Sequence, residues 1–168
     1  MAKFKVALVA LDREGHDSVP EWVPAKFEAE GVEFVHEDCE TKEDLARVAG
    51  DADLVWVFGG SQIVNANTLP VLEMCGAVIR TGSGTDNVDV EGATRQGIVV
   101  ANTPAAHDDE VCEHAIALLM ALVRVVPLKD RELREGTWER TPLPNHHVHG
   151  QTLGLVGFGH IAQLVAKR

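Results

Sequence analysis

An α/β fold built on a parallel sheet is what the sequence predicts, and three observations carry that prediction. Strand-type and helix-type segments alternate along about the first 100 residues. The strand-type runs are apolar nearly throughout, as suits strands buried on both faces of a parallel sheet. Two of them run straight into glycine turns, Leu54–Phe58 into Gly59-Gly60 and Ala77–Thr81 into Gly82-Ser83-Gly84.

The elements follow in order. Lys3–Leu11 (KFKVALVAL) is the first strand, apolar after Lys5. A polar loop leads to a short helix from Trp22 to Glu30, closed by Gly31, and Val32–His36 is the second strand. Thr41 and Asp44 form a capping-box-like pair, with Asp one methylene short of the usual Glu, opening a helix that ends near Gly50. Leu54–Phe58 is the third strand. A helix over Asn67–Cys75 leads to the fourth strand, Ala77–Thr81. A helix from Val88 to Arg95, ended by Gly97, leads to the fifth strand, Ile98–Ala101. Right-handed crossovers follow by rule, and a flavodoxin-like sheet is the natural arrangement for residues 1–101.

The remainder, residues 102–168, differs in pattern. Asp108–Val126 has the length and apolar richness of a long, largely buried helix, interrupted by Pro127. Leu128–Glu135 resumes as a polar helix ending at Gly136, and Thr141–Gly150 is a loop rich in Pro and His. Thr152–Val156 reads as a sixth strand, and a helix begins after Gly157-Phe158-Gly159. The sequence stops at Arg168, about two turns into that helix, whereas a βαβ unit needs about 30 residues.

Composition narrows the function classes. The 168 residues are 45% hydrophobic, enough to bury a real core, and the net charge is −11, with a pI near 5.1. A nucleic-acid partner calls for a basic face, so that class is disfavoured. Cys39, Cys75 and Cys112 are odd in number and widely spaced, which reads as reduced thiols in a cytoplasmic protein and not as a disulfide framework or a zinc site. No signal peptide and no run long enough to span a bilayer is evident.

Two stretches carry chemistry. In Gly157-x-Gly159-x-x-Ala162, Gly157 allows a tight turn, Gly159 lets the backbone approach a pyrophosphate, and small Ala162 permits close helix–strand packing. The free N–H groups and partial positive charge of the helix N-terminus then favour an anion. A plain strand–helix turn has the same spacing. The confirming acid is expected roughly 20 residues further on, past Arg168. In Arg80-Thr-Gly-Ser-Gly-Thr-Asp-Asn-Val-Asp89, the plain reading is a glycine turn with Asp86 or Asp89 capping the next helix. The functional reading is a backbone nest, with the N–H groups of Ser83 and Gly84 holding a small carboxylate.

Taken together, these stretches resemble the D-2-hydroxyacid dehydrogenases. The resemblance rests on Arg80–Asp89, Gly97-Ile-Val-Val-Ala-Asn-Thr-Pro104, Val111-Cys-Glu-His114, Arg124-x-x-Pro127, Arg134-Glu-Gly-Thr-Trp138 and Gly150-Gln-Thr-Leu-Gly-Leu-Val-Gly-Phe-Gly159. Each motif is weak alone; six in the right order are specific. Within the family the chain is most similar to phosphoglycerate dehydrogenases and C-terminal-binding-protein corepressors, over the family's N-terminal half.

The resemblance implies a flavodoxin-like substrate (lid) domain over residues 1–101. It places the start of a Rossmann-type NAD-binding domain, with a dimerisation helix and arm, over 102–168. It implies substrate carboxylate binding by Ser83 and Gly84 beside the Gly60 loop, pyrophosphate contacts from Gly157, Gly159, His160 and Ile161, and Val111 near the nicotinamide. The cofactor is NAD, with NADP open, the partner a second copy of the chain, and the substrate a small 2-hydroxy or 2-keto acid.

Departures shape the expectation further. The family's catalytic Arg, Glu and His have no counterpart in these residues, and His146, His147 and His149 precede the cofactor strand in a loop, so they are not substitutes. The 168-residue chain is therefore expected to be inactive alone. Gly59 stands where several phosphoglycerate dehydrogenases place an Arg, which disfavours a phosphorylated substrate, and His160 stands where many relatives have Arg. The alternative reading is a non-catalytic dinucleotide-binding or regulatory, corepressor-like module.

Overall fold

A computed structural model of the chain describes residues 3–10, 19–138 and 147–168. These form two compact units, residues 1–106 and 107–168.

The first unit is a five-stranded sheet in the order β2-β1-β3-β4-β5. Its strands are β1 (Lys5–Ala10), β2 (Glu33–His36), β3 (Leu54–Val57), β4 (Ala77–Arg80) and β5 (Val99–Asn102), all neighbours parallel. This is the flavodoxin-like order, with chain reversal at the β1/β3 boundary. The crossovers carry α1 (Trp22–Ala29), α2 (Lys42–Ala49) and α3 (Val90–Arg95). The core lies on one face of the sheet, where Ala7, Val9, Val55, Val57 and Val78 are buried with Leu45, Val48 and Ala49 of α2 and Ala93 of α3. On the other face Phe34 stacks on Phe27 of α1 with ring centroids 4.7 Å apart, and His36 and Trp56 extend the aromatic row.

The capping box forms as its spacing predicts. Thr41 Oγ1 accepts from the Asp44 N–H at 3.1 Å, and Asp44 Oδ2 accepts from the Thr41 N–H at 3.1 Å. Asp is thus long enough to close the reciprocal bond.

The helix expected over Asn67–Cys75 is instead a single 3₁₀ turn, Leu69–Val71. Pro70 stands inside the expected range with no N–H to give the carbonyl four residues back, and ahead of the turn Thr68 Oγ1 accepts from the Asn65 N–H and Asn65 Oδ1 from the Asn67 N–H. Leu69 and Leu72 are buried in the core regardless, so the apolar signal was real and its period was misassigned.

The second unit contains α4 (Asp108–Val123), α5 (Val126–Arg134) and α6 (His160–Lys167). The long helix ends at Val123, three residues short of the expected Val126. Pro127 lacks an N–H for the Val123 carbonyl, and its ring clashes with a carbonyl four residues back. The chain breaks through Val125 in the left-handed region, at φ +58°. The expectation that this helix is largely buried is not met, since of its residues only Cys112 is buried. Its apolar residues Leu118 and Leu122 lie at the surface of the unit. The sixth strand expected at Thr152–Val156 is also not formed: the segment carries no regular structure and is exposed. A strand exists only through pairing of its backbone, and no described strand pairs with it. Most of the Thr141–Gly150 loop lies outside the described residues. Among the described residues no single helix is long and apolar enough to cross a membrane, although α4 and α5 qualify as a pair bent by 65°.

Candidate active-site elements

Parallel pairing puts the C-terminal ends of β3 and β4 side by side, with Val57 opposite Arg80 and the Thr81 N–H donating to the Val57 carbonyl at 3.0 Å. The two glycine turns therefore leave the same edge of the sheet next to each other, the edge where open α/β sheets take ligands.

The turn after β4 is held from both sides. Gly82 N–H donates to Thr103 Oγ1 at 2.7 Å, and the Thr103 N–H returns a bond to the Gly82 carbonyl at 3.1 Å. Asn102 Nδ2 donates to the Ser83 carbonyl at 2.7 Å. These bonds occupy the carbonyls of Gly82 and Ser83, the two peptides that carry the Ser83 and Gly84 N–H groups. The N–H groups of Ser83 and Gly84 donate to no acceptor among the described residues, and both residues are exposed. Gly82 is obligatory here: its φ is +115°, and a Cβ would lie 1.9 Å from a guanidinium nitrogen of Arg80. At Gly84 a Cβ would lie 2.8 Å from Asp86 Oδ1. Of the two acids weighed as helix cap, Asp89 does that work, accepting from the Gly92 N–H at 2.8 Å.

Gly60 lies in the turn after β3 and lines a cleft of about 630 Å³ with Asp38, Lys42, Phe58, Gln62 and Asn65. Gly59 has φ +62°, and no atom lies within 4 Å of where its Cβ would be. Cys39, on the cleft wall, is buried, and burial with help from Asp44 pushes its thiol up to about 11, so it stays neutral.

Sequence reasoning missed Asn87. It is 8% exposed, its Nδ2 donates to the Ser61 carbonyl at 2.6 Å and the Gly59 carbonyl at 3.4 Å, and its Oδ1 accepts from Arg80 Nε at 3.2 Å. Its partners are up to 28 residues away, so no local spacing signals it.

In the second unit, Gly157, Gly159, His160 and Ile161 form the exposed entry to α6. Gly157 adopts φ +89°, and no atom lies within 4 Å of a Cβ built on Gly157 or Gly159, so a ligand can approach the backbone there. Gly159 is the N-cap and offers no side-chain acceptor, leaving the first N–H groups of the helix open. These residues fit the pyrophosphate of a dinucleotide. His160 Nδ1 lies 3.5 Å from Asp108 Oδ2 at the start of α4. Val111 follows in the same helix, 46% exposed.

Comparison with known proteins bears on the family and the fold. Residues 11–163 match the family described as D-isomer specific 2-hydroxyacid dehydrogenase, catalytic domain. The chain is 39% identical over 137 residues to the D-3-phosphoglycerate dehydrogenase of Mycobacterium tuberculosis, covering 82% of this chain and 26% of that protein. It is 37% identical over 139 residues to the hydroxypyruvate reductase of Thermotoga maritima, covering 83% of this chain and 45% of that protein. Among solved structures, the NAD-dependent formate dehydrogenase of Staphylococcus aureus in complex with NAD superposes with a TM-score of 0.78 at 26% identity, over 97% of this chain and 52% of that one. The chain thus spans between about a quarter and about half of the length of these relatives. Six motifs in order, a 2-1-3-4-5 parallel sheet and a match over most of its length agree: the chain belongs to the D-isomer specific 2-hydroxyacid dehydrogenase family.

Proposed function

We propose that residues 1–168 supply the substrate-anchoring sheet and the opening of the dinucleotide cradle of an NAD(P)-dependent oxidoreductase acting on the CH–OH group of a D-2-hydroxy acid. The observation that carries this reading is the turn after β4. Its Gly82 and Ser83 carbonyls are bonded by Thr103 and Asn102, while the Ser83 and Gly84 N–H groups meet no acceptor among the described residues. Donors without competing acceptors suit a carboxylate.

In this reading Ser83 and Gly84 hold the substrate carboxylate, and the Gly60 backbone borders it from β3. Residues 102–168 begin the NAD-binding domain: Gly157 and Gly159 let the pyrophosphate approach, the His160 and Ile161 N–H groups bind it, and Val111 borders the nicotinamide end. Bound nicotinamide supplies the hydride chemistry. The chain's own contribution is to fix the substrate's orientation before transfer. Gly59 supplies no cation where several phosphoglycerate dehydrogenases place an Arg, which disfavours a phosphorylated substrate; Lys42 is the cation among the residues that line the cleft. The chain pairs with a second copy through the apolar surface between α4 and α5, around Leu118, Leu122 and Pro127. Three free cysteines suit a reducing cytoplasm.

The test is direct. NADH and oxamate, an unreactive 2-keto-acid mimic, are titrated separately into ¹⁵N-labelled chain. The Ser83 and Gly84 amides are expected to move with oxamate, and those of His160 and Ile161 with NADH. Saturating ligand that leaves all four amides unmoved overturns the reading. No turnover of glyoxylate or hydroxypyruvate is expected from this chain alone, since the family's catalytic Arg, Glu and His have no match in it; steady NADH oxidation would refute that part.

A further inference from the structure

An anion site built from backbone N–H groups has a built-in difficulty: every peptide that offers an N–H also carries a carbonyl oxygen, which repels a carboxylate. In the turn after β4 that difficulty is resolved by Asn102 and Thr103, which bond the Ser83 and Gly82 carbonyls. In the turn after β3 the corresponding oxygens are those of Gly59 and Ser61. Both are directed at one buried side chain, Asn87, through its amide nitrogen. The same side chain accepts from Arg80 Nε. A guanidinium nitrogen of Arg80 in turn sits so close to Gly82 that a Cβ there would overlap it.

We propose that Asn87 is the positioning residue of the carboxylate site. It turns the Gly59 and Ser61 carbonyls inward and links the β3 turn through Arg80 to the β4 turn, so that both present N–H groups to the ligand. This deepens, and rests on, the assignment of Ser83 and Gly84 to the substrate carboxylate. An amide is the side chain that fits, since it donates to two carbonyls through nitrogen while accepting from a guanidinium through oxygen. The Gly60 N–H donates to no acceptor among the described residues, so the constraint leaves a donor open and adds no competing acceptor. The backbone around Asn87 is independently anchored. The Asp89 N–H donates to the Val64 carbonyl at 3.0 Å, and Gln96 Nε2 donates to the Leu69 and Leu72 carbonyls at 3.1 and 3.2 Å. Truncating Asn87 therefore releases the carbonyls of the β3 turn without undocking the whole segment from the core.

The experiment titrates oxamate into the ¹⁵N-labelled 168-residue chain and into Asn87→Ala, with Asn87→Ser as a second variant should the first fail to fold. Amides of β1 and β3 report the state of the sheet. Both variants are expected to bind at least about tenfold more weakly, one satisfied polar contact or more, with the Gly60 and Ser61 amides displaced and the sheet amides unmoved. A role in stability alone would lower the unfolding midpoint and leave the affinity of the folded protein intact. A variant with an unperturbed sheet that binds oxamate as the parent does overturns the role of Asn87 while leaving the carboxylate assignment standing. Failure of the parent chain to bind at Ser83 and Gly84 overturns the assignment, and this inference with it.

Discussion

The chain contains the same local device twice, in different company. In the first unit a glycine turn follows a strand paired on both sides, and its backbone is bonded by Thr103 and Asn102. In the second unit the Gly157–Gly159 turn follows an irregular segment, every residue of which is exposed and which pairs with no strand among the described residues. Glycine spacing makes both turns possible. Neighbouring strands and side chains make only the first one fixed.

Amide exchange should show the largest contrast. Protons of Val6–Leu8 exchange only by global opening, whereas those of residues 152–156 have no ladder to protect them. Exchange slower in β1 by on the order of a thousandfold is expected. Equal protection of the two segments would break the comparison, because it would mean that residues 152–156 find a strand partner in solution.

Next in size is a matched pair of substitutions. Gly82→Ala forces a side chain into φ +115° and into the Arg80 guanidinium, and should cost about 3 kcal/mol in urea unfolding. Gly157→Ala also meets a positive φ, which strains any side chain, but no neighbouring atom, and should cost only about 1 kcal/mol. Comparable losses at the two positions would mean that the second turn is packed in solution.

How much of this was legible follows the same division. The five strands could be read because each is a short apolar run closed by turn residues, and the α2 start because its signal, Thr41 and Asp44, is local. The 3₁₀ turn at Leu69–Val71 was misread as a helix because Leu69 and Leu72 carry an apolar spacing, which outweighed Pro70 between them although it withholds a helical N–H. Asn87 was illegible, since its partners are set by which strand ends lie side by side. The burial of α4 was overestimated because an apolar helix in sequence states that a partner is wanted and not that one is present.

Capping gives a smaller contrast between the two regions. Thr41→Ala removes a reciprocal cap and should cost about 1 kcal/mol, read from urea midpoints. At α6 the N-cap is Gly159, with no side-chain cap. Gly159→Asp should change stability by only a few tenths of a kcal/mol, yet weaken NADH binding at least about tenfold by placing a carboxylate where the pyrophosphate is held. Unchanged NADH affinity would show that this helix start does not face the dinucleotide.

The smallest effect is electrostatic and confined to acid. Arg47 makes two bonds to Glu37, one of 3.0 Å and one of 2.5 Å, and lies 3.5 Å from Asp44. The Arg47 hydrogen bond holds the Glu37 carboxyl below its ordinary 4.5, and chiefly the bonds from Thr41 hold that of Asp44 below 3.8. Both groups bind protons more weakly folded than unfolded. Their contribution is therefore complete above these ordinary values and is lost as pH falls through the lowered ones. These side chains are substantially exposed, so water and salt screen the pair and the gap is small. The difference in urea midpoint between the parent chain and Arg47→Ala should be constant near neutrality, shrink below about pH 4 and shrink in about 1 M salt. A gap that shrinks neither with acid nor with salt would assign the role of Arg47 to packing of its aliphatic stem instead.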